Sequence, residues 1–127
     1  MDQKRLTETD VKRQIKDTLH AVGALPVSIW QGMMSKKGVS DILVCYQGKF
    51  VAIEVKKPGW KLPGRQAKSY QHYYRQKEFI DQVKAAGGIG FFANCVEDVV
   101  KELGLEVKLY PLFHSKKSEN GNNGGRI

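Results

Sequence analysis

The stretch from Gly38 to Lys57, GVSDILVCYQGKFVAIEVKK, constrains the chain most. It holds two short β-type runs, Asp41–Tyr46 and Lys49–Lys56, rich in Val, Ile, Phe and Tyr. Gln47-Gly48 separates them. Two such runs around a two-residue break containing Gly predict a β-hairpin. Tyr46 then pairs with Lys49, Cys45 with Phe50, Leu43 with Ala52 and Asp41 with Glu54. Side chains alternate along a strand, so Lys56 shares the face of Glu54.

This register opposes two carboxylates at about 5 Å between Cβ atoms. Like charges facing each other across a sheet are destabilising unless something neutralises them. A divalent cation does so, and Mg²⁺ is typically held by one or two carboxylates with water and substrate phosphate. A lysine two residues along suits steering of a phosphate or a water. That is the layout of a metal-dependent phosphodiesterase. Ordinary charges at a solvent-facing strand end would give the same letters. Against that, Ile42, Val44, Val51, Ile53 and Val55 lie on one face, while Leu43, Cys45, Phe50 and Ala52 accompany the carboxylates on the other. Both faces are apolar, as in a sheet covered on both sides. The charges therefore sit at the end of a buried surface, as in a pocket.

At 127 residues, with 41% hydrophobic residues, the chain suits one compact domain with a real core. No run approaches the roughly 20 apolar residues of a membrane span. MDQKRLTETD has no apolar signal region, and Cys45 and Cys95 do not suggest a disulfide framework, so the expected compartment is the cytoplasm. His20, His72 and His114 show no zinc-ligand spacing with the cysteines. The net charge of +8 points to an anionic partner, most often nucleic acid. The excess is local: from Lys56 to Lys77 there is no Asp or Glu, but there are Lys57, Lys61, Arg65 and Lys68, with Trp60, Tyr70, Tyr73 and Tyr74 interleaved. Basic side chains grip phosphates and aromatics can stack on unpaired bases. A solvated loop and helix with core-facing rings is the alternative reading.

Thr7 is the expected N-cap of a first helix, with Asp10 at N3 and Leu6 and Val11 at the staple positions. Val11, Ile15, Leu19 and Val22 form its buried stripe, and Gly23 ends it. Glu8 lies at the end of that stripe; it either joins a site or complements the helix dipole. Leu25–Trp30 reads as a strand. Lys36 and Lys37 precede the hairpin in a loop that either meets phosphate or forms an exposed turn. A helix is expected over Tyr73–Ala86 and a strand over Ile89–Ala93. Asn94 with Glu97 predicts the start of a last helix that runs to Leu103. Leu105–Phe113 fits an edge strand, closing a domain at residues 1–113, and residues 114–127 (HSKKSENGNNGGRI) read as a disordered polar tail. The order α-β-β-β-α-β-α around a central hairpin is an α/β fold with a mixed sheet flanked by helices.

Gly38-Val39-Ser40-Asp41 followed by Ile53-Glu54-Val55-Lys56 resembles the PD-(D/E)xK nuclease superfamily, with Ser40 where proline is common. The closer resemblance is to the VRR-NUC domain, in its small stand-alone versions from phages and bacteria. Glu8, Gln76-Lys77-Glu78-Phe79, Ala85-Ala86-Gly87-Gly88-Ile89 and Val96-Glu97-Asp98-Val99 extend the resemblance from Glu8 to Leu103. It implies a restriction-endonuclease-like α-β-β-β-α-β core. It implies Mg²⁺ or Mn²⁺ held by Asp41, Glu54, the carbonyl of Val55 and Glu8, directly or through water. Lys56 would be the catalytic lysine and Gln76 the glutamine near the phosphate. The stretch from Lys57 to Tyr74 looks longer than usual in the family, and Gln66 and Gln71 compete for the glutamine role. Gln76 is favoured because Phe79 and Val83 follow it on one helix face.

The expected protein is therefore a Mg²⁺- or Mn²⁺-dependent DNA endonuclease leaving 5′-phosphate ends. Resemblance to Holliday-junction resolvases implies a homodimer acting on branched or four-way DNA. Two rivals remain: a monomeric flap or single-strand nuclease, and a silent nucleic-acid-binding module.

Overall fold

The computed structural model describes residues 5–29 and 38–105. In chain order the elements are α1 (Glu8–Ala21), β1 (Leu25–Ser28), β2 (Ile42–Tyr46), β3 (Lys49–Val55), α2 (Lys68–Ala85), β4 (Ile89–Ala93) and α3 (Val96–Leu103). The four strands form one sheet in the order β1-β2-β3-β4. The first three are antiparallel, whereas β3 and β4 run parallel, with α2 as the crossover between them. This mixed sheet between helices is the expected α/β architecture.

The hairpin register is the one the sequence predicts, from Tyr46↔Lys49 to Ile42↔Ile53. Gln47 and Gly48 both have positive φ, 51° and 80°, as a two-residue turn matched to strand twist requires. Val51, Ile53 and Val55 point into a core shared with Val11, Ile15 and Leu19 of α1 and Val99 of α3. Each fully buried Val, Ile or Leu there contributes roughly 1.5–3 kcal/mol. On the opposite face Ala52 packs with Ile80 and Val83 of α2. α2 touches β3 and β4. Both faces of β3 are thus covered over its last five residues, which are all buried. Phe50 stays 50% exposed and Cys45 is exposed, so the second face, expected to be covered along its length, is covered by α2 only towards the carboxylate end.

Thr7 and Asp10 form the expected reciprocal cap, Asp10 N donating to Thr7 Oγ1 at 3.1 Å and Thr7 N to Asp10 Oδ2 at 3.0 Å. Leu6, the expected staple, remains 43% exposed. Three boundaries differ from expectation. β1 stops at Ser28, with Trp30 outside the described residues. α2 begins at Lys68, five residues before Tyr73, with Ala67 as an N-cap that makes no side-chain bond. No local cap signal marks that start; packing of Tyr73 against Trp60 and Phe92 carries the early turns. α3 begins at Val96 behind Cys95, and the Asp98 carboxylate, rather than Glu97, accepts from Asn94 N at 3.0 Å. Beyond Leu105, which is fully buried, the expected edge strand and tail lie outside the described residues. No described helix is long and apolar enough to cross a membrane.

Candidate active site

Glu54 is the penultimate residue of β3 and faces α2, which leaves it only 3% exposed. Asp41 lies one residue before β2, so the ladder ends at Ile42↔Ile53 and Asp41 is not a strand partner of Glu54. Its carboxylate turns across the strand end instead, where Oδ2 accepts from Val55 N at 2.9 Å. Its own carbonyl accepts from Ile29 N at 2.9 Å. A side chain thus completes a pairing that backbone would otherwise make, and this brings Asp41 to the end of β3 beside Glu54.

Gly38 places this turn against α2. Its φ is +84°, and a Cβ there would lie 2.6 Å from the carbonyl oxygen of Arg75. Only glycine permits both the left-handed backbone and that approach. The next residue of α2 is Gln76, buried between the strand and the helix. Gln76 Nε2 donates to Glu54 Oε2 at 2.5 Å, while its Oε1 accepts from Lys56 Nζ at 2.7 Å. Lys56 Nζ is also 3.9 Å from Glu54 Oε2. One amide therefore holds both an acid and a base of the site. Gln66 and Gln71 are exposed.

Burial pushes the Glu54 carboxyl up to about 9, with the Asp41 charge adding to the shift and the Lys56 ammonium opposing it. Among the described residues Glu54 Oε1 is buried without a hydrogen-bond partner. The Lys56 ammonium lies 5.2 Å from the centroid of the Trp60 ring and 5.9 Å from that of Phe92. These rings help leave the Lys56 side chain only 12% exposed.

Glu8, the expected third carboxylate, is more peripheral. Its Oε2 lies 3.5 Å from Lys12 Nζ, which is in turn 3.4 Å from Asp41 Oδ1. Lys12 thus links Glu8 to the site. Among the described residues no three His, Cys, Asp or Glu side chains converge to hold one cation. Lys57, Lys61, Arg65 and Lys68 are exposed on the segment that leaves β3 and enters α2. Lys36 and Lys37 lie outside the described residues.

Sequence reasoning missed two participants. Lys12 is one helical turn after Glu8, and His72 is one turn before Gln76, with its Nε2 3.1 Å from Gln76 Nε2. Spacing of four on a helix was the available signal in both cases.

A solved structure described as a "VRR_NUC domain" is similar to this chain, with a TM-score of 0.56 at 22% sequence identity, covering 78% of this chain and 97% of that one. The chain has the fold of a VRR-NUC domain. No family model and no curated protein matches the sequence. Within the VRR-NUC fold the test for a divalent cation is local chemistry. A buried carboxylate oxygen without a partner, a second carboxylate beside it and a carboxyl forced towards its neutral form are what a cation would relieve. The donor set fits a hard, oxygen-seeking ion: Asp41 and Glu54, with the Val55 carbonyl as the further ligand that the family resemblance implies.

Proposed function

We propose that this chain is a Mg²⁺- or Mn²⁺-dependent DNA endonuclease of the VRR-NUC type, selective for branched DNA such as four-way junctions and active as a homodimer. The observation that carries this reading is Glu54 Oε1, without a hydrogen-bond partner among the described residues, buried beside Asp41 and backed by the Gln76–Lys56 pair. A structural ion cluster would satisfy its buried oxygens. A pure binding module would not need two carboxylates side by side at all.

Asp41 and Glu54 would hold the cation, with the Val55 carbonyl, and Glu8 would join through Lys12 displacement or through water. Such a cation supplies positive charge at the scissile phosphate. Lys56 is the donor that orients the attacking water and meets the developing phosphate charge. Gln76 fixes the Lys56 ammonium at 2.7 Å, so that charge is aimed before substrate arrives. The shielding by Trp60 and Phe92 keeps Lys56 in a poorly hydrated setting, where its charge acts more strongly. Lys57, Lys61, Arg65 and Lys68 grip the DNA backbone. Two copies related by a two-fold axis would cut two strands symmetrically.

The test is cleavage of blunt duplex, single-stranded, flap and four-way DNA by purified protein, with Mg²⁺, Mn²⁺ or excess EDTA. Metal-dependent cutting that favours junctions is expected. Cutting undiminished by EDTA would remove the metal-dependent reading, and equal cutting of all DNA forms would remove the structural selectivity.

A further inference from the structure

The aromatic residues between Lys56 and α2 form a continuous chain of contacts. Trp60 lies parallel to Phe92, with centroids 6.2 Å apart and 6° between planes. Tyr73 packs against both, at 5.9 Å from Trp60 and 5.5 Å from Phe92. Trp60 and Phe92 lie beside Lys56, and Tyr73 ties the loop after β3 to α2. Their role is accounted for by packing. The chain does not end there. Tyr70 contacts Tyr73 at 5.8 Å and stacks on Tyr74, one turn later, at 6.3 Å and 27°. Tyr74 is 48% exposed, so this outer pair presents ring surface to solvent that the core does not use.

The charge on the segment leading into the pair is of one sign, whereas on its far side the exposed Glu78 lies one helical turn after Tyr74. Lys57, Lys61, Arg65 and Lys68 are exposed, and no Asp or Glu occurs from Lys56 to Lys77. A basic surface with flat rings fits a strand whose phosphates and base faces are both accessible. In a duplex, base faces are hidden in the stack and only edges and phosphates are presented.

We propose that Tyr70 and Tyr74 form a stacking platform for an unpaired base of DNA, so that the strand passing Lys56 carries single-stranded nucleotides beside the phosphate to be cut. This rests on the nuclease reading above and names the part of a branched substrate that the enzyme grips. Ring contacts of about 6 Å connect this platform to Trp60 and Lys56, so recognition and chemistry are contiguous.

The experiment is a binding titration in EDTA, where cleavage does not interfere. Fluorescein-labelled blunt duplex is compared with a duplex of equal phosphate count that carries a short unpaired tail. Wild type is expected to bind the tailed DNA more tightly. Tyr74→Ala should weaken binding to the tailed DNA by about five-fold or more, the least that loss of one stacked base implies. It should leave blunt-duplex binding unchanged, and Tyr74→Phe, which keeps the ring, should bind like wild type. Equal wild-type affinity for the two DNAs, or equal weakening of both by Tyr74→Ala, overturns the platform while leaving the nuclease reading intact. Failure of wild type to bind either DNA overturns both.

Discussion

Gln76 holds Glu54 by a 2.5 Å hydrogen bond from Nε2 to Oε2, and through its other end it holds Lys56. The penultimate residue of β3 and the residue just beyond its end are thus bridged by one residue of the helix packed over them. Replacing Gln76 with Leu keeps apolar bulk but strands a buried ammonium and a buried carboxyl oxygen. The expected cost is about 1–3 kcal/mol of stability for leaving buried polar groups unpaired. Cleavage should fall much further than stability, because Lys56 loses its aim. Thermal melting and kcat together check this; an active, equally stable Gln76→Leu protein would refute the bridge.

The raised Glu54 carboxyl predicts a pH dependence of the metal-free fold. The ordinary value is 4.5 and the folded value about 9, so the folded state keeps a proton that the unfolded chain releases. Stability from this group is complete below about pH 4.5 and is lost progressively as pH rises to about 9. Glu54→Gln carries no such proton. In EDTA its melting temperature should match wild type near pH 5 and exceed it near pH 9, while cleavage is abolished. Parallel melting curves across that range would contradict the assignment.

Lys12 should compete with a metal ion. Its ammonium lies within 3.5 Å of both Glu8 and Asp41, in the region a cation would neutralise. Lys12→Met is expected to tighten Mn²⁺ binding several-fold in calorimetric titration. Stability of the metal-free protein should change by no more than about 1 kcal/mol, because the pair is partly solvated. Weaker Mn²⁺ binding by Lys12→Met would mean that Lys12 supports the site rather than opposing the ion.

Gly38→Ala tests how the Asp41 turn is seated. The new Cβ would meet the Arg75 carbonyl at 2.6 Å, and φ there is +84°. Strain of this kind costs on the order of 1–3 kcal/mol. The variant should melt lower and cut more slowly, since the displaced turn carries Asp41. A melting temperature and kcat equal to wild type would show that the turn can move away from α2 freely.

The basic segment should set the salt dependence of binding. Changing Lys61, Arg65 and Lys68 together to Ala should reduce the log–log slope of affinity against salt by about 2–3 units, at roughly 0.9 per duplex phosphate contact. An unchanged slope places the DNA elsewhere.

The hairpin, its register and its core-facing stripe were legible in the sequence because they are local: strand alternation and a two-residue turn decide them within twenty residues. The exposure of Cys45 and Phe50 on the other face, by contrast, was set by where α2 lies. The Thr7–Asp10 cap is local for the same reason. Asp41, Glu54, Lys56 and Gln76 could be named because their residue types and order resemble a family pattern. Which glutamine reaches the strand, however, depended on how α2 lies over β3, and so did the early start of that helix at Lys68. Lys12 and His72 escaped notice because a charged or polar residue on a helix carries no mark of what faces it. Asp41 shows the division most clearly. Sequence spacing placed it opposite Glu54 by extending a ladder, but the ladder stops at Ile42, and the carboxylate instead caps Val55 N. Hydrogen-bond register is a property of neighbouring residues. The end of a strand, the burial that lifts the Glu54 carboxyl and the ion pairs around it depend on chain segments far apart in sequence, and only the packed structure brings those together.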